Sequence, residues 1–212
     1  MQPLNKIITS YNATAESYTA SRINELQKKH YDQLILKEFA SVNKDKGVCA
    51  DFGCGPGHTT KFLFDCGMKD IVGIDISPGM INAAEKIFPD LRFETGDLLA
   101  LSYNTGHFAS AIAFYSIVNF DYSQVETAFN EVNRVLKKNS QFLFSFHVGE
   151  QIVHFDKAND IDVDIDMYFF KTELILELLH KSNFRVIDAI ERLPYPDVEY
   201  PTKRGYVLTE KE

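Results

Sequence analysis

The residues best suited to chemistry lie in one short run, Asp51-Phe52-Gly53-Cys54-Gly55-Pro56-Gly57-His58, where three alternating glycines follow an acidic residue. Glycines spaced in this way let a ligand approach the main chain closely and leave amide N–H groups pointing at it. They also cost conformational entropy that an ordinary connection would not require. A dinucleotide-binding turn wants its third glycine three positions after the second, and His58 occupies that place, so the spacing argues against a nicotinamide dinucleotide. Asp51 points the same way. Its negative charge would be unhelpful beside a pyrophosphate but useful beside the ammonium group of an amino-acid moiety.

Further polar residues follow at the ends of other apolar runs. Asp75 closes Ile71-Val72-Gly73-Ile74, Asp97 follows Gly96, Phe114-Tyr115-Ser116 closes a fourth run, and His147 closes a fifth. These positions need elements to hold them, and hydrophobic period supplies those elements. Strands are expected at 48–52, 70–76, 91–94, 108–115 and 141–147, with helices at 59–66, about 79–87 and 125–136. Ser77-Pro78 reads as an N-cap followed by proline at the first helical position. The alternation predicts an α/β, doubly wound, mostly parallel seven-stranded sheet with helices on both faces. A helix at 172–182 and strands at 185–191 and 205–209 predict an antiparallel edge hairpin. The chain is read as one domain: 1–42 a helical cap or lid, 43–148 the ligand-binding core, and 149–212 a substrate-side insert and C-terminal strands.

The acidic-x-G-x-G-x-G run at the end of the first strand resembles the first motif of the class I S-adenosylmethionine-dependent methyltransferases, and Asp75 and Gly96-Asp97-Leu98 resemble its second and third. The Tyr11-to-Tyr18 segment resembles the entry segment of the ubiquinone/menaquinone-methyltransferase-like branch. The segments Phe146 to Glu150 and Glu199 to Arg204 resemble a small-molecule subgroup. The resemblance implies a Rossmann-like methyltransferase fold with S-adenosylmethionine as cofactor and S-adenosylhomocysteine as product. It implies that Asp75 binds the ribose hydroxyls, that Asp97 accepts from the adenine amino group and that the Leu98 amide contacts the ring. It further implies a cofactor site formed by Tyr11, Tyr18, Asp51, Gly53, Cys54, Gly55, Gly57, Ile76, Met80 and Phe114. Asn119 stands where many small-molecule members carry a histidine.

Methyl transfer from a sulfonium is an in-line displacement with an already activated donor, so alignment in a dry site is the main requirement. A base is needed only when the acceptor must lose a proton; His147 and Tyr115 are the candidate catalytic residues. His154, Asp156, Asp160, Asp162, Asp164 and Asp166 form an acidic insert that lacks the glycine and distal Glu of a calcium loop, so a solvated loop bordering the substrate pocket is expected and no metal. The alternatives are a protein that binds the cofactor without transferring, and an NAD-binding enzyme.

Thirty acidic residues against twenty-two basic give a net charge of -8, which disfavours nucleic acid as partner and leaves a small molecule. The neighbouring cations Lys28-Lys29-His30 and Lys137-Lys138 read as solvated helix surface. Cys49, Cys54 and Cys66 are odd in number and lack C-x-x-C spacing, which suits a reducing cytoplasm. No signal-peptide pattern is visible at the start, and the longest apolar run, 109–118, is too short to span a membrane.

Overall fold

In the computed structural model, which describes residues 3–212, the apolar runs become interior strands of one sheet. Strands β1 (Cys49–Phe52), β2 (Ile71–Asp75), β3 (Arg92–Thr95), β4 (Phe108–Phe114) and β5 (Leu136–His147) pair in parallel. Both faces of β1 and β4 are covered, so Cys49-Ala50-Asp51-Phe52 is buried at every position and shows no alternation. Strand β9 (Arg204–Lys211) runs antiparallel between β5 and β8 (Phe184–Arg192), giving the order β3-β2-β1-β4-β5-β9-β8. The order reverses between β1 and β4, and the crevice outside their carboxyl ends is where such sheets take ligands.

Helices α2 (His30–Asn43) and α3 (His58–Asp65) pack Leu36, Phe39 and Leu63 against Ile112 and Leu143 on one face. Helices α5 (Tyr122–Val135) and α6 (Thr172–Lys181) pack Phe129, Val132 and Leu179 against Phe142, Phe144 and Phe146 on the other. Helix α4 (Pro78–Ile87) starts as its sequence indicates: Ser77 Oγ accepts from the Met80 amide, with proline at the first turn. Helix α5 begins earlier than its apolar period because Asp121 and Gln124 form a capping box. Strand β5 follows it directly. Its exposed Lys137-Lys138-Asn139 carries no apolar signal, and Asn139 has a φ of 62°, so the sequence pattern starts only at Gln141.

The two N-terminal helices lie in different places. Helix α1 (Leu4–Arg22) crosses the carboxyl edge of the sheet and touches α4, whereas α2 is a sheet-covering helix whose Leu36 and Ala40 are fully buried.

The acidic insert is not a loop. It forms β6 (Ile152–Ala158) and β7 (Ile161–Tyr168), a separate antiparallel hairpin. The period-two alternation of Ile161, Val163, Ile165 and Met167 with Asp162, Asp164 and Asp166 is the strand signal that its acidity obscures. The hairpin rests on α1 through a Lys6–Asp164 ion pair of 2.6 Å and a hydrogen bond from the Asp164 amide to Ser10 Oγ. Among the described residues no helix is long and apolar enough to cross a membrane.

Candidate functional site

At the carboxyl edge of β1, β2 and β4 lies a cavity of about 1150 Å³, including space open to solvent, roofed by α1 and the 3-10 turn at Glu25–Lys28. The glycine turn contributes Asp51, Gly53, Cys54 and Gly55 to its wall, the end of β2 contributes Asp75 and the following Ile76, and the start of α4 contributes Met80. Asp97 and Leu98 line it after β3, Phe114 and Tyr115 after β4, and Tyr11 and Tyr18 from above. Two of the sequence candidates, Gly57 and His147, do not line it.

Asp75 is oriented by its neighbours. Its carboxylate accepts from the Gly55 amide and the Ser77 amide, both at 2.8 Å, which leaves lone pairs of each oxygen for a ligand. Burial raises its pKa above the ordinary 3.8, and the two amides offset part of that rise. Asp51 is almost fully buried, and its Oδ2 accepts from Thr60 Oγ1 at 2.6 Å. Burial pushes its pKa up to about 7. Asp97 closes a local turn by accepting from the Leu99 amide at 2.8 Å, and burial raises the Cys54 thiol.

The glycines differ in role. A Cβ on Gly55, whose φ is +53°, would meet no atom of the described residues within 4 Å apart from its chain neighbours and would stand in space. A Cβ on Gly57, with φ +81°, would lie 2.6 Å from the Phe93 ring. Gly57 therefore lets the turn pack on β3, and Gly55 faces the cavity.

The roof is fastened at several points. Asn12 Oδ1 accepts from Ser77 Oγ at 2.7 Å and from the Gly79 amide at 2.8 Å, tying α1 to the start of α4. The Tyr11 hydroxyl donates to Asn119 Oδ1 at 2.9 Å, while Asn119 Nδ2 donates to the Asp166 carbonyl at 2.8 Å. Asn119 thus joins roof, core and hairpin. Tyr18 packs edge-on against Tyr11, and burial raises its hydroxyl to about 12.

Beyond Tyr115 lies a polar network that sequence reasoning missed. Tyr115 has a φ of 55°, and its hydroxyl lies 3.0 Å from that of Tyr206, which donates to Asp32 at 2.6 Å. Arg192 binds Asp32 at 2.9 Å and both oxygens of Glu199 at 2.7 and 2.8 Å. The spacing of 160 residues between Asp32 and Arg192 explains why no local pattern shows it. His147 sits behind Tyr115, stacked on Phe169, and its buried Nδ1 has no partner among the described residues. Burial, then the charges of Arg204 and Lys29, lowers its pKa to about 3.

Lys29, read from sequence as solvated surface, is 5% exposed and lines the cavity. Its ammonium donates to Glu25 at 3.0 Å and lies 5.0 Å from the Tyr115 ring centroid. Glu25 also meets Arg22 at 3.1 Å and His58 Nε2 at 3.6 Å. Burial opposes the charge of Glu25, but His58 and Lys29 outweigh it and hold its carboxyl well below the usual range.

The cavity suits S-adenosylmethionine on its own geometry. Gly55 faces open space, Asp75 is held with lone pairs left for a ligand, and the buried Ser116 Oγ and His58 Nδ1 on the wall have no partner among the described residues.

Comparison with known proteins agrees. Residues 49–139 match a family described as "Methyltransferase domain". A protein of Oceanobacillus iheyensis named as an uncharacterized methyltransferase is 26% identical over 172 residues, covering 81% of this chain and 71% of its own. This chain spans about half the length of two further curated relatives, 52% and 49%. A solved structure from Pyrococcus horikoshii superposes with a TM-score of 0.70 at 20% identity, covering 92% of this chain and 96% of its own. The [4+2]-cyclase SpnF shares the fold, with a TM-score of 0.68 at 15% identity over 84% of this chain and 81% of its own. The glycine turn, the acids that end β2 and follow β3, the strand order and the matched region agree in giving this chain a methyltransferase domain over residues 49–139 and the fold of the solved structures it resembles.

Proposed function

We propose that the chain transfers the methyl group of S-adenosylmethionine to a small-molecule acceptor, in a cavity whose residues position both. The observation that carries this reading is Asp75, held by two main-chain amides at the edge of a cavity that Gly55 leaves open. Asp75 would accept from the ribose hydroxyls, and Asp97, with the Leu98 amide, would receive the adenine edge. Ile76, Met80, Phe114 and Leu98 supply apolar wall. Gly53, Cys54 and Gly55 bring main chain close to the ligand. When bound, the cofactor supplies an activated methyl group, so the protein has chiefly to align and to exclude water.

Tyr11 and Tyr18 close the roof, and their ring faces suit a cationic sulfur by roughly 0.5–2 kcal/mol. Tyr115 directly follows β4, lines the cavity beside Phe114 and would orient the acceptor. His147 lies behind it and, with its pKa lowered to about 3, is a weak base at neutral pH. The roof over the cavity and the net charge of -8 favour a small acceptor over a nucleic acid.

The test is calorimetric titration with S-adenosylmethionine, S-adenosylhomocysteine and NAD, on the natural sequence and on Asp75→Ala. Binding of the first two, weakened about tenfold or more in the variant, is expected, since a charged hydrogen bond contributes about 1.5–3 kcal/mol. Silence toward both, or preference for NAD, rejects the reading. Because the fold also serves a cyclase, S-adenosylhomocysteine release is then followed across small hydroxyl, amine and carboxylate compounds.

A further inference from the structure

Four cations and three carboxylates form one connected network beside the cavity. Arg22 and Lys29 share Glu25, Arg192 and Arg204 share Glu199, Arg192 also holds Asp32, and Lys29 reaches Glu199 only at 3.9 Å. Each carboxylate near Lys29 is therefore already serving another cation. Glu25 accepts from Arg22 and faces His58, while Glu199 is gripped at both oxygens by Arg192.

Lys29 has three N–H donors and, among the described residues, its ammonium makes one hydrogen bond, to Glu25, although its side chain is only 7% exposed. A buried ammonium with unmet donors is costly unless another acceptor completes it. Its side chain lines the cavity, and so does His58, whose buried Nδ1 has no partner among the described residues. Asp51 and Asp75 line the same cavity from the ends of β1 and β2. A ligand that fills this arrangement carries a positive centre for the acids and a negative group for Lys29.

We propose that Lys29, held in place by Glu25, receives the α-carboxylate at the amino-acid end of S-adenosylmethionine. This rests on the methyltransferase reading and adds to it a cofactor contact from the segment that follows the roof helix, outside the glycine turn and its two acids. Glu25 is a positioning residue: it fixes the ammonium and keeps it from closing on Glu199.

Decarboxylated S-adenosylmethionine, which lacks only that carboxylate, isolates the contact. Calorimetric affinities for the two compounds are measured on the natural sequence, Lys29→Met and Lys29→Arg. The natural sequence is expected to prefer S-adenosylmethionine by about 10- to 100-fold, the range of a charge-assisted hydrogen bond. Lys29→Met should bring the two compounds within about threefold of each other while binding the decarboxylated one as before, and Lys29→Arg should retain part of the preference. Unchanged binding of the decarboxylated compound also shows that the variant is folded. The proposal is overturned if the natural sequence does not distinguish the compounds, if Lys29→Met keeps the preference, or if it weakens both alike. Failure of the natural sequence to bind either compound would remove the methyltransferase reading as well.

Discussion

Gly55 and Gly57 belong to one motif, two residues apart, yet replacing each by alanine should fail in different ways. Both have left-handed φ, +53° and +81°, so alanine at either costs about 1–2 kcal/mol in backbone conformation. At Gly55 that is the whole structural cost, because the added methyl meets none of the described residues within 4 Å beyond its chain neighbours. At Gly57 the methyl would lie 2.6 Å and 2.7 Å from two Phe93 ring atoms and 3.2 Å from the Ala84 Cβ. Those side chains are buried, so overpacking adds about 1–3 kcal/mol. The sums are about 1–2 kcal/mol for Gly55→Ala and about 2–5 kcal/mol for Gly57→Ala; in a chain of this size each kcal/mol lowers Tm by about 2–4 °C. Thermal unfolding and titration with S-adenosylhomocysteine read the two effects separately. Gly55→Ala should melt about 2–8 °C below the natural sequence and bind at least about tenfold more weakly. Gly57→Ala should melt lowest, and Phe93→Leu in that background should recover part of the loss. Equal melting of the two variants, or no recovery from Phe93→Leu, would refute the division of roles.

Two further outcomes follow from buried charge. The pKa of Asp51, raised by burial from 3.8 to about 7, means that the folded state holds its proton more tightly than the unfolded chain. Its contribution to stability is therefore largest below about pH 4, falls as the pH rises toward about 7 and is flat above, a swing of up to about 4 kcal/mol. Asp51→Asn lacks this dependence, so its urea-unfolding stability relative to the natural sequence should improve from pH 4.5 to pH 8; a difference that stays constant would sink the assignment. Arg192→Met leaves Asp32 and the doubly gripped Glu199 short of their main partner, which should cost about 3–5 kcal/mol. A loss below about 1 kcal/mol in the same assay would contradict the network.

The strands and most of the cavity wall were legible because each of their signals is local. Asp51, Asp75 and Asp97 stand at or just after strand ends, and the glycine spacing is contained in five residues. What sequence reasoning missed depends on distant partners. Lys29 has the composition of a surface residue, and it is buried because Glu25 and the Tyr115 ring, 86 positions away, meet it. Gly57 has a positive φ like its motif mates, but its purpose is set by Phe93 on another strand. His147 ends β5 as expected; only packing by Phe169 and Tyr115 puts it outside the cavity wall. The hairpin of β6 and β7 was legible in principle, since its alternation is local. Reading by charge alone hid it.

The position of β9 has a consequence for how the chain acquires its shape. The strand made after β8 is the one that must lie between β8 and β5. While the polypeptide is being synthesised, the outer edge of β5 has no hydrogen-bonding neighbour until residues 204–211 emerge, and β8 has nothing in the sheet to join. Nascent chains halted before that point would expose an unpaired edge on the apolar Phe142-Leu143-Phe144 run, a template for self-association, whereas chains that have passed it are sealed. The polar network is completed at the same moment, because Tyr206 is carried on the closing strand.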